Sequence, residues 1–250
     1  MTDSPVLLVT GGSRGIGAAA CLVAARHGWR VAVNYASNET AANAVVSEIE
    51  KAGGQAIAVK GDVGSAADIV SMFEAVDKYF GRLDGLVNNA GIVDYIARVD
   101  EMSAERLERM MRINVTGSML CAGQAVRRMS TRHGGRGGAI VNISSMAAVI
   151  GGPAQYVDYA ASKAAIDTFT IGLSKEVAAE GVRVNAIRPG IIETDIHASG
   201  GQPDRPKEMA SSIPMKRAGQ AEEVADAIVY LLSPSASYIT GAILNVSGGR

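Results

Sequence analysis

Tyr159 and Lys163 stand four residues apart in Tyr159-Ala160-Ala161-Ser162-Lys163. The stretch after them, through Ala179, has the apolar periodicity of a helix, and on a helix residues four apart share a face. An ammonium beside a phenol favours the phenolate and draws the tyrosine pKa down from about 10. Such a pair can pass a proton to or from a carbonyl/alcohol couple. A second feature opens the chain. The apolar run Val6-Leu7-Leu8-Val9 leads into Thr10-Gly11-Gly12-Ser13-Arg14-Gly15-Ile16-Gly17, and a helical pattern follows to about His27. Strand, glycine-rich turn and helix in that order suit a pyrophosphate. Glycine lets the backbone come close, and the helix N-terminus offers free N–H groups and a positive dipole end. The spacing is Gly-x-x-x-Gly-x-Gly, not the Gly-x-Gly-x-x-Gly of the common dinucleotide fingerprint.

The elements that must position these residues alternate along the chain. Strands are expected near 6–10, 30–35, 55–60, 84–88, 139–144, 182–188 and 242–246, and helices near 15–27, 38–53, 65–81, 103–132, 157–180 and 221–233. Leu86-Val87 and Ala139-Ile140-Val141 read as strands buried on both faces, as parallel strands are. Strand and helix in alternation give a single-domain α/β fold, a doubly wound sheet with right-handed crossovers. At 250 residues the chain suits one domain over 1–250. Gly134-Gly135-Arg136-Gly137-Gly138 reads as a helix-ending loop, since a strand follows it.

Composition excludes more than it assigns. Lys and Arg number 24 and Asp and Glu 25, interspersed, for a net charge of −1. That gives no footprint for nucleic acid or an anionic membrane. No apolar run reaches the length of a membrane span, and Met1 to Pro5 leave no room for a signal peptide before the first strand. Cys21 and Cys121, isolated in apolar helical stretches, read as small core residues in a reducing, cytoplasmic setting. His27, His133 and His197 lack ligand spacing, so no metal is expected.

Taken in order, these residues resemble the short-chain dehydrogenases/reductases. The resemblance covers essentially the whole chain: Thr10 to Gly17, Asp62-Val63, Asn88-Asn89-Ala90-Gly91, Asn114, Ser144-Ser145, Tyr159 and Lys163, then Pro189-Gly190 and Thr194. By overall look it is similar to 3-oxoacyl-carrier-protein reductases and glucose dehydrogenase-like members. The resemblance implies a seven-stranded parallel sheet of order 3-2-1-4-5-6-7, a Rossmann fold with the cofactor over its C-terminal edge. It implies that Gly11, Ser13, Arg14, Gly15, Ile16 and Gly17 hold the pyrophosphate side of a nicotinamide cofactor. Asn89, Ala90 and Gly91 lie against the first strand and the adenine ribose, and Pro189, Gly190, the Ile192 backbone and Thr194 orient the nicotinamide.

The second strand ends Asn34-Tyr35-Ala36-Ser37 with no acid to hold a ribose 2′-hydroxyl. Arg14 can reach a 2′-phosphate as a fork donor, and Asn34 and Ser37 can donate to it. In the family a basic residue at this place goes with NADP, so NADP(H) is favoured over NAD(H). Asp62 either accepts from the adenine amino group, with Val63 against the ring, or serves as a turn residue. Mid-helix Asn114 bends back to its own backbone, faces solvent, or, as the resemblance implies, orders a water linking Lys163 to bulk. The resemblance favours Ser145 over Ser144 as the substrate-oxygen donor, with one residue inserted between Ala147 and Asp158. Tyr156 reads as a pocket wall.

The resulting expectation is hydride transfer between nicotinamide and a small carbonyl or secondary alcohol, with Tyr159 as general acid/base and Lys163 holding ribose hydroxyls and the tyrosine pKa. Residues 195–217, with Gly200, Gly201, Pro203 and Pro206, are expected to be a long lid loop. Val93 to Tyr95 and Ile150 to Asp158 are expected to wall a pocket for a substrate without strong charge. A carrier-protein reductase is the alternative, against which Glu180 counts, because an acidic carrier would meet like charge there. A non-catalytic NADP(H) sensor is a third reading. Surplus apolar residues in the 103–132 helix (Met110, Met111, Met119, Leu120, Ala125, Met129) and the C-terminal edge strand suggest a homotetramer.

Overall fold

The computed structural model describes residues 4–250; residues 1–3, with most of the segment before the first strand, lie outside it. The opening apolar run forms β1 (Val6–Val9), buried along its whole length. Its side chains alternate between two cores, Leu7 and Val9 in one and Val6 and Leu8 in the other. A strand covered on both faces must be apolar at every position. Chain order continues α1 (Gly15–Arg26), β2 (Arg30–Tyr35), α2 (Glu39–Lys51), β3 (Ala56–Lys60), α3 (Ala66–Phe80) and β4 (Gly85–Asn88). Then come α4 (Ala104–Met111), α5 (Ser118–Met129), β5 (Gly138–Ile143), α6 (Ala147–Ile150), α7 (Val157–Val177) and β6 (Val182–Pro189). The chain closes with α8 (Ile196–Ser199), α9 (Arg205–Met209), α10 (Ala221–Leu232) and β7 (Ile243–Val246).

The seven strands pair in parallel in the order β3-β2-β1-β4-β5-β6-β7, the order the family resemblance implied. Helices α1, α2 and α10 cover one face, and α3, α5 and α7 the other. Local sequence fixes the helix starts. Asn38, Ser65 and Ser103 each accept a hydrogen bond from an N–H of the first turn beyond them.

Two expectations need correcting. The 103–132 segment is not one helix. A π-helical turn, Arg112–Gly117, separates α4 from α5, and a 3-10 turn follows at Thr131–His133. Propensity cannot reveal this, because the π turn depends on what Asn114 bonds to, described below. The 195–217 segment is not a plain loop either. It carries α8, α9 and a 3-10 turn, Ala210–Ser212, and Ile213 joins Ile191 and Ala218 in a small apolar cluster that fastens it down. The positions proposed as surplus apolar residues divide. Met110, Ala125 and Met129 are in the core, while Met111, Met119 and Leu120 are exposed.

α7 docks on the sheet through an unusually polar face. Ser162, Lys163, Asp167, Thr170 and Ser174 are all buried. Asn142 on β5 accepts from the Asn88 amide on β4 at 2.9 Å and donates to Thr170 Oγ1 at 2.9 Å. Asp167 pairs with Arg188 on β6 at 2.8 Å. Buried polar groups are costly when unpaired, so these bonds set the seat of α7 more strictly than apolar contact would. Replacing Asn142 by Leu removes both bonds at similar volume. It should destabilise the fold by about 2–4 kcal/mol, read as a lowered urea midpoint. A loss under about 0.5 kcal/mol, the level of a surface substitution, would mean that the polar face does not seat the helix.

Candidate active site

A cleft of about 700 Å³ runs over the C-terminal ends of the central strands. Its floor at one end is the glycine turn. Gly11 and Gly15 have φ of 62° and 52°, a region side chains disfavour. A Cβ on Gly17 would lie 2.2 Å from the Gly11 carbonyl oxygen and 2.5 Å from Asn89 Nδ2. That approach explains the spacing: the first and last glycines meet across the turn. Asn89 fastens the same point from β4, its amide donating to the Thr10 and Gly11 carbonyls at 2.9 and 3.0 Å. Thr10 Oγ1 accepts from the Asn89 and Ala90 N–H groups in return. α1 starts here with no side-chain cap and no acid in its first turn, so its N–H groups and dipole are left for an anion.

Asn34 was expected to donate to a phosphate, and the structure corrects this. Its Oδ1 accepts from the Gly11 N–H, and both hydrogens of its amide go to the Val59 and Gly61 carbonyls. It is a buried strut beneath the glycine turn. Arg14 is exposed at the cleft edge with Ser13 and Ile16 beside it, and Tyr35 and Ser37 line the same end. Tyr35 is itself buried, and burial and the neighbouring Glu39 push its phenol pKa up. Asp62 makes a turn, accepting from the Gly64 N–H at 2.8 Å, and it lines the cleft next to Val63.

Tyr159 and Lys163 come together with Ser145 midway along the cleft. Lys163 Nζ lies 5.6 Å from the Tyr159 ring centre and donates to the Ile143 carbonyl at 2.8 Å. Burial pulls its pKa down to about 8, opposed by nearby Asp167. Burial also pushes the Tyr159 phenol above its ordinary value, and a hydrogen bond with Ser145 opposes this to a lesser extent. The expected lowering of the phenol by Lys163 is therefore not what this geometry produces. Removal from water penalises each charge, and both groups drift toward neutrality. Ser144 points the other way, its hydroxyl on the Lys163 carbonyl at 3.1 Å. The segment between Ser145 and Tyr159 holds α6 and three left-handed residues, Gly151, Gly152 and Ala154.

Gly17 and Asn114 sit behind the cleft wall rather than in it. Asn114 is fully buried in the π turn. Its Oδ1 accepts from the Ile92 N–H at 2.8 Å, and its Nδ2 lies within bonding distance of the Ile92 carbonyl and Ser162 Oγ. It neither faces solvent nor has an amide hydrogen free for a water. Asn114 Oδ1 and Lys163 Nζ converge on Gly91, where a Cβ would lie 3.3 Å from each. At and past the end of β6, Pro189, Gly190, Ile192 and Thr194 line the cleft. Thr194 Cγ2 would be 3.1 Å from a Cβ on Gly15, so the loop after β6 touches the glycine turn.

Several lining residues escape sequence reasoning. His197 donates through Nε2 to the Ile192 carbonyl at 2.9 Å, since a carbonyl only accepts, and burial lowers its pKa. Arg205 on α9 and the terminal Arg250 enter beside Gln155 and Tyr156. These come from separate stretches with no shared spacing, so only the fold reveals the grouping. Asp94 and Asp158, expected as pocket wall, turn instead to ion pairs with Arg109 and Arg106. No group of three or more His, Cys, Asp or Glu among the described residues is placed to hold a metal.

Similar proteins carry the same architecture. A family model described as Enoyl-(Acyl carrier protein) reductase matches residues 11–250. The chain is 54% identical to an uncharacterized oxidoreductase, YgfF, of Escherichia coli (strain K12), over 98% of this chain and 99% of that one. It is 42% identical to a 3-oxoacyl-[acyl-carrier-protein] reductase of Synechocystis, over 98% of this chain and 96% of the relative. A crystal structure of a short chain dehydrogenase from Burkholderia cenocepacia in complex with NADP superposes with a TM-score of 0.90 at 33% identity, covering 98% of this chain and 97% of the other. Whole-length similarity, strand order and the glycine turn at the head of the sheet agree, and the chain belongs to the short-chain dehydrogenase/reductase family of oxidoreductases.

Proposed function

We propose that this oxidoreductase is an NADP(H)-dependent carbonyl reductase working through Tyr159, Lys163 and Ser145. The observation carrying this reading is that Tyr159, Lys163 and Ser145 line one cleft with the glycine turn. A nicotinamide cofactor fits that turn: Gly11 and Gly15 line it at positive φ without a side chain, and the uncapped start of α1 suits a pyrophosphate. When bound, it supplies the hydride. Ser145 donates to the substrate oxygen, and Tyr159, a neutral phenol raised by burial, gives that oxygen its proton. A protonated tyrosine is the form that reduction needs. Lys163 offers its remaining N–H groups to ribose hydroxyls and lends positive charge as the phenol ionises. Asn114 is a positioning residue, binding Ile92 to Ser162.

A carrier-protein reductase remains the second reading, favoured by the 42% identical relative. The argument against it from Glu180 weakens, because that carboxylate accepts from the Ser130 hydroxyl and is only 20% exposed.

For NADP over NAD the support is Arg14, exposed at the cleft edge, with no acid at the end of β2. We read the 195–217 segment as a substrate lid and the assembly as a homotetramer in the cytoplasm. Exposed Met111, Met119, Leu120 and Leu244 support the contacts, and two buried free cysteines fit a reducing compartment.

Tyr159→Phe should cut turnover by on the order of a thousandfold while cofactor still binds. Ser145→Ala should lose about a hundredfold and Ser144→Ala far less; the reverse order of the serines in steady-state assays would sink the assignment. Arg14→Ala should weaken NADPH binding by about 1–3 kcal/mol and leave NADH almost unaffected. Equal losses in fluorescence titration would remove Arg14 from the 2′-phosphate. Sedimentation at micromolar concentration should give four subunits, and a monomer would refute the assembly alone.

A further inference from the structure

The substrate end of the cleft is more positive than its sequence suggests. Arg205 enters from α9 with its guanidinium 5.4 Å from the centre of the Tyr156 ring. Its Nη2 donates to Gln155 Oε1 at 2.9 Å, and its Nη1 donates to Gln202 Oε1. Tyr156 in turn donates to Gln202 at 3.2 Å. Two neutral amides and an aromatic face therefore orient this cation, and no carboxylate among the described residues pairs with it. Its neighbours differ: Arg106 is neutralised by Asp158 and Arg109 by Asp94. Arg250 is half-buried in the same cleft, also without a carboxylate side-chain partner among the described residues. Both side chains line this cleft; burial disfavours the charge on Arg250, and Arg205 adds to this to a lesser extent. The acids lining the cleft are Asp62, at the adenine end, and Asp195, which is exposed.

Two half-buried cations held in one cleft, one pre-oriented by amide oxygens, form a receptor for an oxoanion. We propose that Arg205 and Arg250 are such a subsite, and that the carbonyl substrate carries a carboxylate or a phosphate ester there. This rests on the reductase reading and revises the expectation of a substrate without strong charge. Both groups lie inside the cleft rather than on the outer surface, which favours a small anionic molecule over an acidic carrier protein.

The test compares matched ketones with NADPH: 3-oxobutanoate against its methyl ester, and dihydroxyacetone phosphate against dihydroxyacetone. The wild type should prefer at least one anionic member by about tenfold or more in kcat/KM, the range of a charge-assisted hydrogen bond. That ratio should fall toward one in Arg205→Ala and in Arg250→Ala, and Arg205→Lys should restore part of it. The pair that responds separates carboxylate from phosphate. Equal rates within both pairs, or a preference that survives both alanine variants, would overturn the subsite and leave the reductase reading intact. A faster carrier-bound 3-oxoacyl thioester with no anion preference would also overturn it. Should no ketone be reduced, the reductase reading fails instead. Calorimetric titration of 3-oxobutanoate and dihydroxyacetone phosphate into wild type and Arg205→Lys then decides the subsite. Tighter binding of either to the wild type supports it, and absent or equal binding overturns it.

Discussion

The close approach of backbone at Gly11, Gly17 and Asn89 fixes where the cleft lies. Two chain segments can come this near only where no Cβ intervenes, and one on Gly17 would lie only 2.2 Å from the Gly11 carbonyl oxygen. Asn89 and Thr10 lock β4 to β1 at that level, and Asn34 supports the turn from beneath on the β2 side. Strands from both halves of the sheet therefore meet at one rigid point, where the strand order reverses. The start of α1 is held there, and with it a set of uncapped N–H groups at the cleft.

Helix α7 is seated by a different physics. Its buried face is polar, so its fit depends on matched donors and acceptors rather than on volume. That face carries Lys163 at its head and Asp167, Thr170 and Ser174 behind it. The same burial that gives precision to the seat also disfavours charge. Lys163 is pulled down to about 8, and the Tyr159 phenol is driven the opposite way. Site geometry and protonation state thus share one cause, exclusion of water.

Much of this is legible in the residues. Fully apolar β1 and the Ala139-Ile140-Val141 run of β5 announce parallel strands, and the glycine turn and the Tyr159/Lys163 pair stand out by local spacing. The parts that are not legible depend on distant partners. Asn34 has the same donors whether it faces a phosphate or two carbonyls, and only the pairing of β2 with β3 decides. The π turn follows from bonds between Asn114 and residues 92 and 162. Asp94 and Asp158 look like pocket residues until Arg109 and Arg106 reach them, and Arg205 and Arg250 are joined only by the folded chain. For Tyr159, spacing shows the neighbouring ammonium but not the loss of water that raises the phenol pKa.

The widened turn at Arg112–Gly117 has a consequence for winding. Core residues along α5 recur at three and four, from Ser118 through Cys121 and Ala125 to Met129, but Met110 and Val115 are five apart. One surplus residue in a regular helix would swing everything beyond it by about 100° around the axis. Here the surplus is stored in a single broad turn, so the rod keeps its phase on both sides. α4 still aims Arg106 at Asp158, and α5 still aims Met129 into the core. Asn114 sits in that broad turn, where it joins residues 92 and 162.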